Sequence, residues 1–130
     1  MVGMLYFYPL HGIFDVKQVE NYLLALPHTF RDPANPAGPY FICGDEGSAA
    51  YYREERLKNP AIDLPYTCLV SVAPGKIVVR QLCSENALRQ ARQFVVWLLE
   101  TSECRVTDDY GNDWTEKVKS SVDVLYRKDD

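Results

Sequence analysis

Tyr66-Thr67-Cys68-Leu69-Val70-Ser71-Val72-Ala73-Pro74-Gly75-Lys76-Ile77-Val78-Val79-Arg80-Gln81-Leu82 is the stretch whose reading decides the fold. Both halves are rich in β-branched side chains, which suit a pleated and half-buried surface. Pro74 and Gly75 separate them and take positions i+1 and i+2 of a type II turn. Type II splays flanking strands more than the primed turns do, so a longer loop or a bulge is the alternative at the same place. In either form the stretch predicts a β-hairpin over Tyr66–Val72 and Ile77–Leu82.

Downstream of the hairpin, Ser84 caps the longest predicted helix, and Glu85 sits in its first turn near the positive end of the helix dipole. Ala87, Ala91, Phe94, Val95 and Leu98 share one face of it, while Arg89, Arg92 and Gln93 lie outside that face. Val95-Val96-Trp97-Leu98-Leu99 is apolar all round, which predicts cover on two sides. Cys104–Thr107 reads as a further strand, and 108–113 as a turn rich in residues that tolerate left-handed backbone. Trp114–Tyr126 fits two patterns: Val118, Val122 and Tyr126 at helical spacing, or Val122, Val124 and Tyr126 at strand spacing.

Upstream, Met4–Leu10 is an aromatic-rich first strand. Asp15 offers an N-cap with Gln18 three residues on, and Val16, Val19, Leu23 and Leu26 follow at helical spacing until Pro27 stops them. Pro27–Pro39 holds four prolines and reads as a stiff loop. Tyr40–Cys43 is a short strand closed by Gly44, and Ser48 caps a helix that ends at Asn59-Pro60 with Ala49, Tyr52 and Arg56 on one face.

This order predicts an α+β fold: one domain over residues 1–130, an antiparallel or mixed sheet, helices on one face, and a tail over 117–130 of undetermined conformation. The nearest template is the ferredoxin-like split βαβ with an inserted hairpin strand. That template hosts many unrelated functions, so function has to come from particular residues.

Fourteen Lys and Arg against eighteen Asp and Glu leave a net charge of −4, which disfavours a phosphate backbone and favours a basic protein as partner. No run approaches the ~18 apolar residues of a membrane span. The N-terminus lacks a positive n-region before its apolar stretch, and Pro9 cuts that stretch short, so a cytoplasmic protein is expected. There Cys43, Cys68, Cys83 and Cys104 would be reduced, and none is spaced for a zinc site or a C-x-x-C redox pair.

The chemistry-bearing patterns are sparse. Gly44-Asp45-Glu46-Gly47-Ser48 sits where phosphate loops sit, but it lacks their lysine and places two carboxylates against the anion. Counted from Asp108, the acidic turn puts Tyr110 and Asp113 where a calcium loop needs an oxygen ligand and a glycine, so no metal is expected. No catalytic residue and no cofactor is assigned. Cys43 at a strand end, with His11 and Asp45, marks the alternative of a small enzyme or small-molecule site between sheet and helices.

The remaining signal is a surface pattern. Acids stand at Glu54, Glu55, Asp108, Asp109 and Asp113, with Tyr51, Tyr110 and Trp114 beside them. Aromatic groups next to charge suit protein interfaces, and acids steer a basic partner. The expectation is a non-enzymatic protein-binding module of bacterial immunity or antitoxin type, taking a basic protein and neither nucleic acid nor membrane. Homo-oligomer formation through the apolar end of the long helix is a further option.

Overall fold

The computed structural model describes residues 3–35, 38–62, 64, 67–80 and 85–120 of the 130. Along them run β1 (Met4–Pro9), α1 (Val16–Ala25), β2 (Thr29–Arg31), β3 (Tyr40–Ile42), α2 (Glu46–Lys58), β4 (Cys68–Ala73), β5 (Lys76–Arg80), α3 (Glu85–Thr101), β6 (Cys104–Asp108) and α4 (Thr115–Ser120). The six strands form one sheet in the order β2-β3-β4-β5-β1-β6. Every pairing in it is antiparallel. The fold is α+β, as the pattern predicts, and the sheet is not mixed.

The strand order follows from two crossovers. β1 and β4, joined through α1, run parallel with β5 lodged between them. β5 and β6, joined through α3, run parallel with β1 between them. This is the split βαβ arrangement used twice. β2, β3 and α2 are inserted between α1 and β4 and lengthen the sheet at one edge.

Strand alternation explains the main core. Leu5 and Phe7 of β1, Ile77 and Val79 of β5, Cys68 and Val70 of β4, and Cys104 and Val106 of β6 are all buried and all two residues apart. They meet Val19 and Leu23 of α1 and the Ala87-Ala91-Phe94-Val95-Leu98 face of α3. Asp15 caps α1 as its position implies, accepting from the Gln18 N–H at 3.2 Å. On the sheet's other face, Phe30, Phe41, Cys43, Ala49 and Leu64 form a smaller cluster in which α2 packs at the β2–β3 end. There Asp32, 2% exposed, takes a bidentate ion pair from Arg56, with Nη2 to Oδ2 at 2.9 Å and Nε to both oxygens at 3.2 Å.

Several local expectations change. The central hairpin closes over two residues with Ala73 opposite Lys76, but Gly75 lacks the positive φ that a type II turn requires. Its outer ends at Tyr66, Gln81 and Leu82, and the Ser84 cap, lie outside the described residues. The Pro27–Pro39 loop contains β2, because Thr29-Phe30-Arg31 is free of proline and Phe30 is buried opposite Phe41. Asp45, not Ser48, caps α2: its carboxylate accepts the Ser48 N–H at 2.8 Å and the Ser48 Oγ–H at 3.1 Å, so the helix starts earlier. At the apolar end of α3, Val95 and Leu98 are buried, Trp97 and Leu99 pack partly against the core, and Val96 is 38% exposed. Of the ambiguous tail, 115–120 is helical with Val118 in the core, and 121–126 lies outside the described residues.

Candidate functional site

β6 carries its core alternation one step further, from Cys104 and Val106 to Asp108. Asp108 is therefore buried, and its carboxylate collects the loop that follows. Oδ1 accepts the N–H of Tyr110 at 2.8 Å and of Asn112 at 2.9 Å. Oδ2 accepts the Asn112 Nδ2–H at 3.1 Å and the Trp114 Nε1–H at 2.8 Å. Burial alone would raise the Asp108 carboxyl, but Trp114 and Asn112 overcome it and hold it at about 2.

The backbone closes the same loop. Gly111 takes φ +82°, a left-handed conformation that a glycine adopts without steric cost. Asp108 N–H donates to Asn112 O at 3.0 Å, and Trp114 N–H donates to Val106 O at 2.8 Å. The returning chain thus adds a bridge, Thr107 to Asp113, along the free edge of β6. Trp114 packs partly on the core and carries Lys117 Nζ 4.7 Å from its ring centroid. Asp113 then starts α4, accepting the Thr115 N–H at 2.8 Å. Hydrogen bonds from the Thr115 side chain and N–H, with Arg105 nearby, hold its carboxyl below the usual range.

Tethered this way, the loop turns Asp109, Tyr110 and Asp113 outward, and Tyr110 is 87% exposed. Beside it opens a groove of about 390 Å³, with Leu10, Arg105, Asp113, Glu116 and Lys117 in its walls.

The structure divides the eight candidate residues. Asp108 and Trp114 hold the loop from inside, and Asp109, Tyr110 and Asp113 present its outer side. Glu54, Glu55 and Tyr51 belong to α2, which packs beside β2. β2 and β6 are opposite edges of the sheet, about 24 Å apart at ordinary strand spacing. Glu54 and Glu55 both face Lys58, at 3.9 and 3.6 Å, and Tyr51 stands edge-on to Tyr52. The sequence pattern does not single out Asn112, although an amide in an Asp-rich turn is a ready partner for the carboxylate that opens it.

Of the residues of the enzyme alternative, Cys43 and Asp45 lie near each other and His11 lies apart from them. Cys43 is buried among Phe30, Phe41, Ala49 and Leu64. Burial, followed by the nearby Asp45 carboxylate, pushes its thiol up to about 12. His11 follows the end of β1, which β4 and β5 separate from β3, and sits 3.2 Å from Glu103. His28 holds a left-handed backbone (φ +60°) and places Nδ1 3.5 Å from Glu46.

The expectation of reduced cysteines holds for Cys43 and Cys104, which are free thiols, but not for Cys68, which is disulfide-bonded. Pairing depends on closeness in space, which sequence spacing does not reveal. Because disulfides persist in oxidising compartments, the cysteines no longer support a cytoplasmic location.

No helix among the described residues is long and apolar enough to cross a membrane. Among those residues no three His, Cys, Asp or Glu side chains gather as a metal ion would require. The chain matches no protein-family model, and no curated protein and no solved structure is similar to it.

Proposed function

We propose that the protein is a non-enzymatic binding module that takes a basic partner protein on the loop at 109–113. One observation carries this reading: Tyr110 is 87% exposed on a loop whose shape is set from inside by the Asp108 carboxylate. A fixed loop loses little conformational freedom on binding, which favours affinity. An aromatic ring supplies the contact area of an interface anchor. Asp109 and Asp113 on either side, in a chain of net charge −4, would attract a basic surface and speed encounter. The adjacent groove offers room for a partner side chain. A bacterial immunity- or antitoxin-type protein opposed to a basic toxin is the form of module this chemistry suits. The Cys43 alternative is weaker, since a thiol pushed up to about 12 inside an apolar cluster is a poor nucleophile at neutral pH.

The test is site-specific photocrosslinking. Replacing Tyr110 with p-benzoylphenylalanine should trap a basic protein from native lysate at low salt and lose it at high salt. The same replacement at Tyr51, on the opposite edge, should trap nothing comparable. No adduct at position 110, or equal adducts at both positions, would sink the assignment.

A further inference from the structure

A second feature lies on the helical side. Arg89, Arg92, Gln93, Trp97 and Glu100 recur at three- and four-residue spacing and form one stripe along α3. Tyr22 of α1 completes it: its ring stacks on Trp97 at 4.3 Å and 13°, and its hydroxyl donates to Gln93 O at 3.4 Å. With the half-open Val96 they line a groove of about 450 Å³, a volume within the ~300–1,000 Å³ range of small-molecule sites.

The polar end of this groove lacks its complement. Among the described residues neither Arg89 nor Arg92 forms an ion pair, and Arg89 reaches only the Asn86 amide oxygen, at 3.5 Å. The Arg92 Nε–H is buried and meets no acceptor among them. Buried donors are nearly always satisfied in folded proteins, so an unmet one at a groove points to an acceptor supplied from outside. Glu100, the groove's own acid, sits two helical turns away from Arg92; burial, and after it the Glu100 charge, raises the Tyr22 hydroxyl.

We propose that this groove binds a small planar aromatic carboxylate, with its ring against Trp97, Tyr22 and Val96 and its carboxylate on Arg92 and Arg89. Guanidinium groups match a carboxylate in shape and charge, and the aromatic wall matches the ring. Because Glu100 shares the groove, a single negative charge meets less repulsion than a phosphate dianion. The site shares no residue with the 109–113 loop or the groove beside it.

Nitrogen-15 NMR of the full chain tests this with 2-naphthoate as probe, reading the Arg92 Nε–H and Trp97 Nε1–H signals. Both should shift saturably. Acetate, 2-naphthamide and the variant Arg92→Gln should each bind at least about tenfold more weakly, as expected for losing one half of the recognition or the charge-assisted hydrogen bond. Unchanged signals, undiminished binding by Arg92→Gln, or shifts confined to the 109–113 loop would overturn the site. Tighter binding of 2-naphthyl phosphate than of 2-naphthoate would overturn the assignment to a monoanion.

Discussion

Replacing Arg56 with Leu should be among the most damaging single changes on the α2 side of the sheet. The guanidinium donates to Asp32 Oδ2 at 2.9 Å through Nη2, to both carboxylate oxygens at 3.2 Å through Nε, and to Ile62 O at 2.7 Å through Nη1. It also lies 5.7 Å from the centroid of the Phe41 ring. The Asp32 side chain is fully covered, so removing Arg56 leaves a buried carboxylate with backbone partners such as the Ala34 N–H at 2.9 Å. Breaking a buried pair from one side costs about 3–5 kcal/mol. For a chain of this length that lowers Tm by roughly 10–20 °C.

The pH dependence gives the sign. In the native protein burial works to raise Asp32, but Arg56 and the backbone N–H groups win and hold it below the usual range. A lowered carboxyl contributes stability above its unfolded value, near pH 4, and loses it as pH falls through the folded value. In Arg56→Leu burial dominates and the carboxyl rises, so protonation relieves the variant. Urea melts should show a gap of about 3–5 kcal/mol at pH 7 that narrows towards pH 3. Asp32→Asn should recover part of the loss when added to Arg56→Leu. A gap below about 1 kcal/mol at pH 7, or one that stays constant with pH, would refute the assignment of Arg56 as the counter-charge.

Three further outcomes follow from the geometry. Cys43 and Cys104, pushed up to about 12 and about 11 with burial as the main cause, should resist a disulfide reagent at pH 8 until the protein is denatured; rapid native reaction of either would contradict their placement. Gly44→Ala should be far worse than Gly12→Ala: both glycines have positive φ, a cost of about 1–3 kcal/mol for alanine, but a Cβ at 44 would lie 2.5 Å from Ala87 N while one at 12 would meet nothing within 4 Å. Equal thermal shifts for the two would sink that contrast. By carboxyl carbon-13 NMR, Asp108 should stay ionised down to about pH 2 and then release the loop. Trp114→Phe, which removes one N–H donor, should move its midpoint upward, and an unmoved midpoint would count against the Trp114 bond.

What can be read from the residues follows the strength of their periodicity. The central hairpin, α1 and α3 are legible because their apolar positions repeat at two or at three and four residues, and because Asp15 announces a helix start. β2 is hidden: three residues between prolines carry too short a pattern, and only pairing with β3 makes them a strand. At α2 two capping residues compete, and the earlier one wins because the Asp45 carboxylate reaches the Ser48 N–H. The acidic loop is visible as a turn, but its acids look alike in sequence. Extending the Cys104, Val106 alternation by one step sets Asp108 inward and apart from Asp109. The distance between that loop and Glu54–Glu55 depends on strand order, which local sequence does not encode. The Asp32–Arg56 pair joins residues far apart in the chain, and no spacing rule signals it.

The claim that Asp109, Tyr110 and Asp113 form a binding surface is tested most directly by association kinetics with the partner trapped at position 110. Combining Asp109→Asn with Asp113→Asn removes both charges, while the new amide at position 113 keeps an oxygen for the Thr115 N–H. That variant should slow association by about fivefold at low salt and converge with the native protein at high salt, as electrostatic steering requires. Tyr110→Ala should instead raise the dissociation rate, by about thirtyfold for an anchor worth ~2 kcal/mol. Association that is unchanged by charge removal and insensitive to salt, with dissociation unaffected by Tyr110→Ala, would contradict the loop as the binding surface.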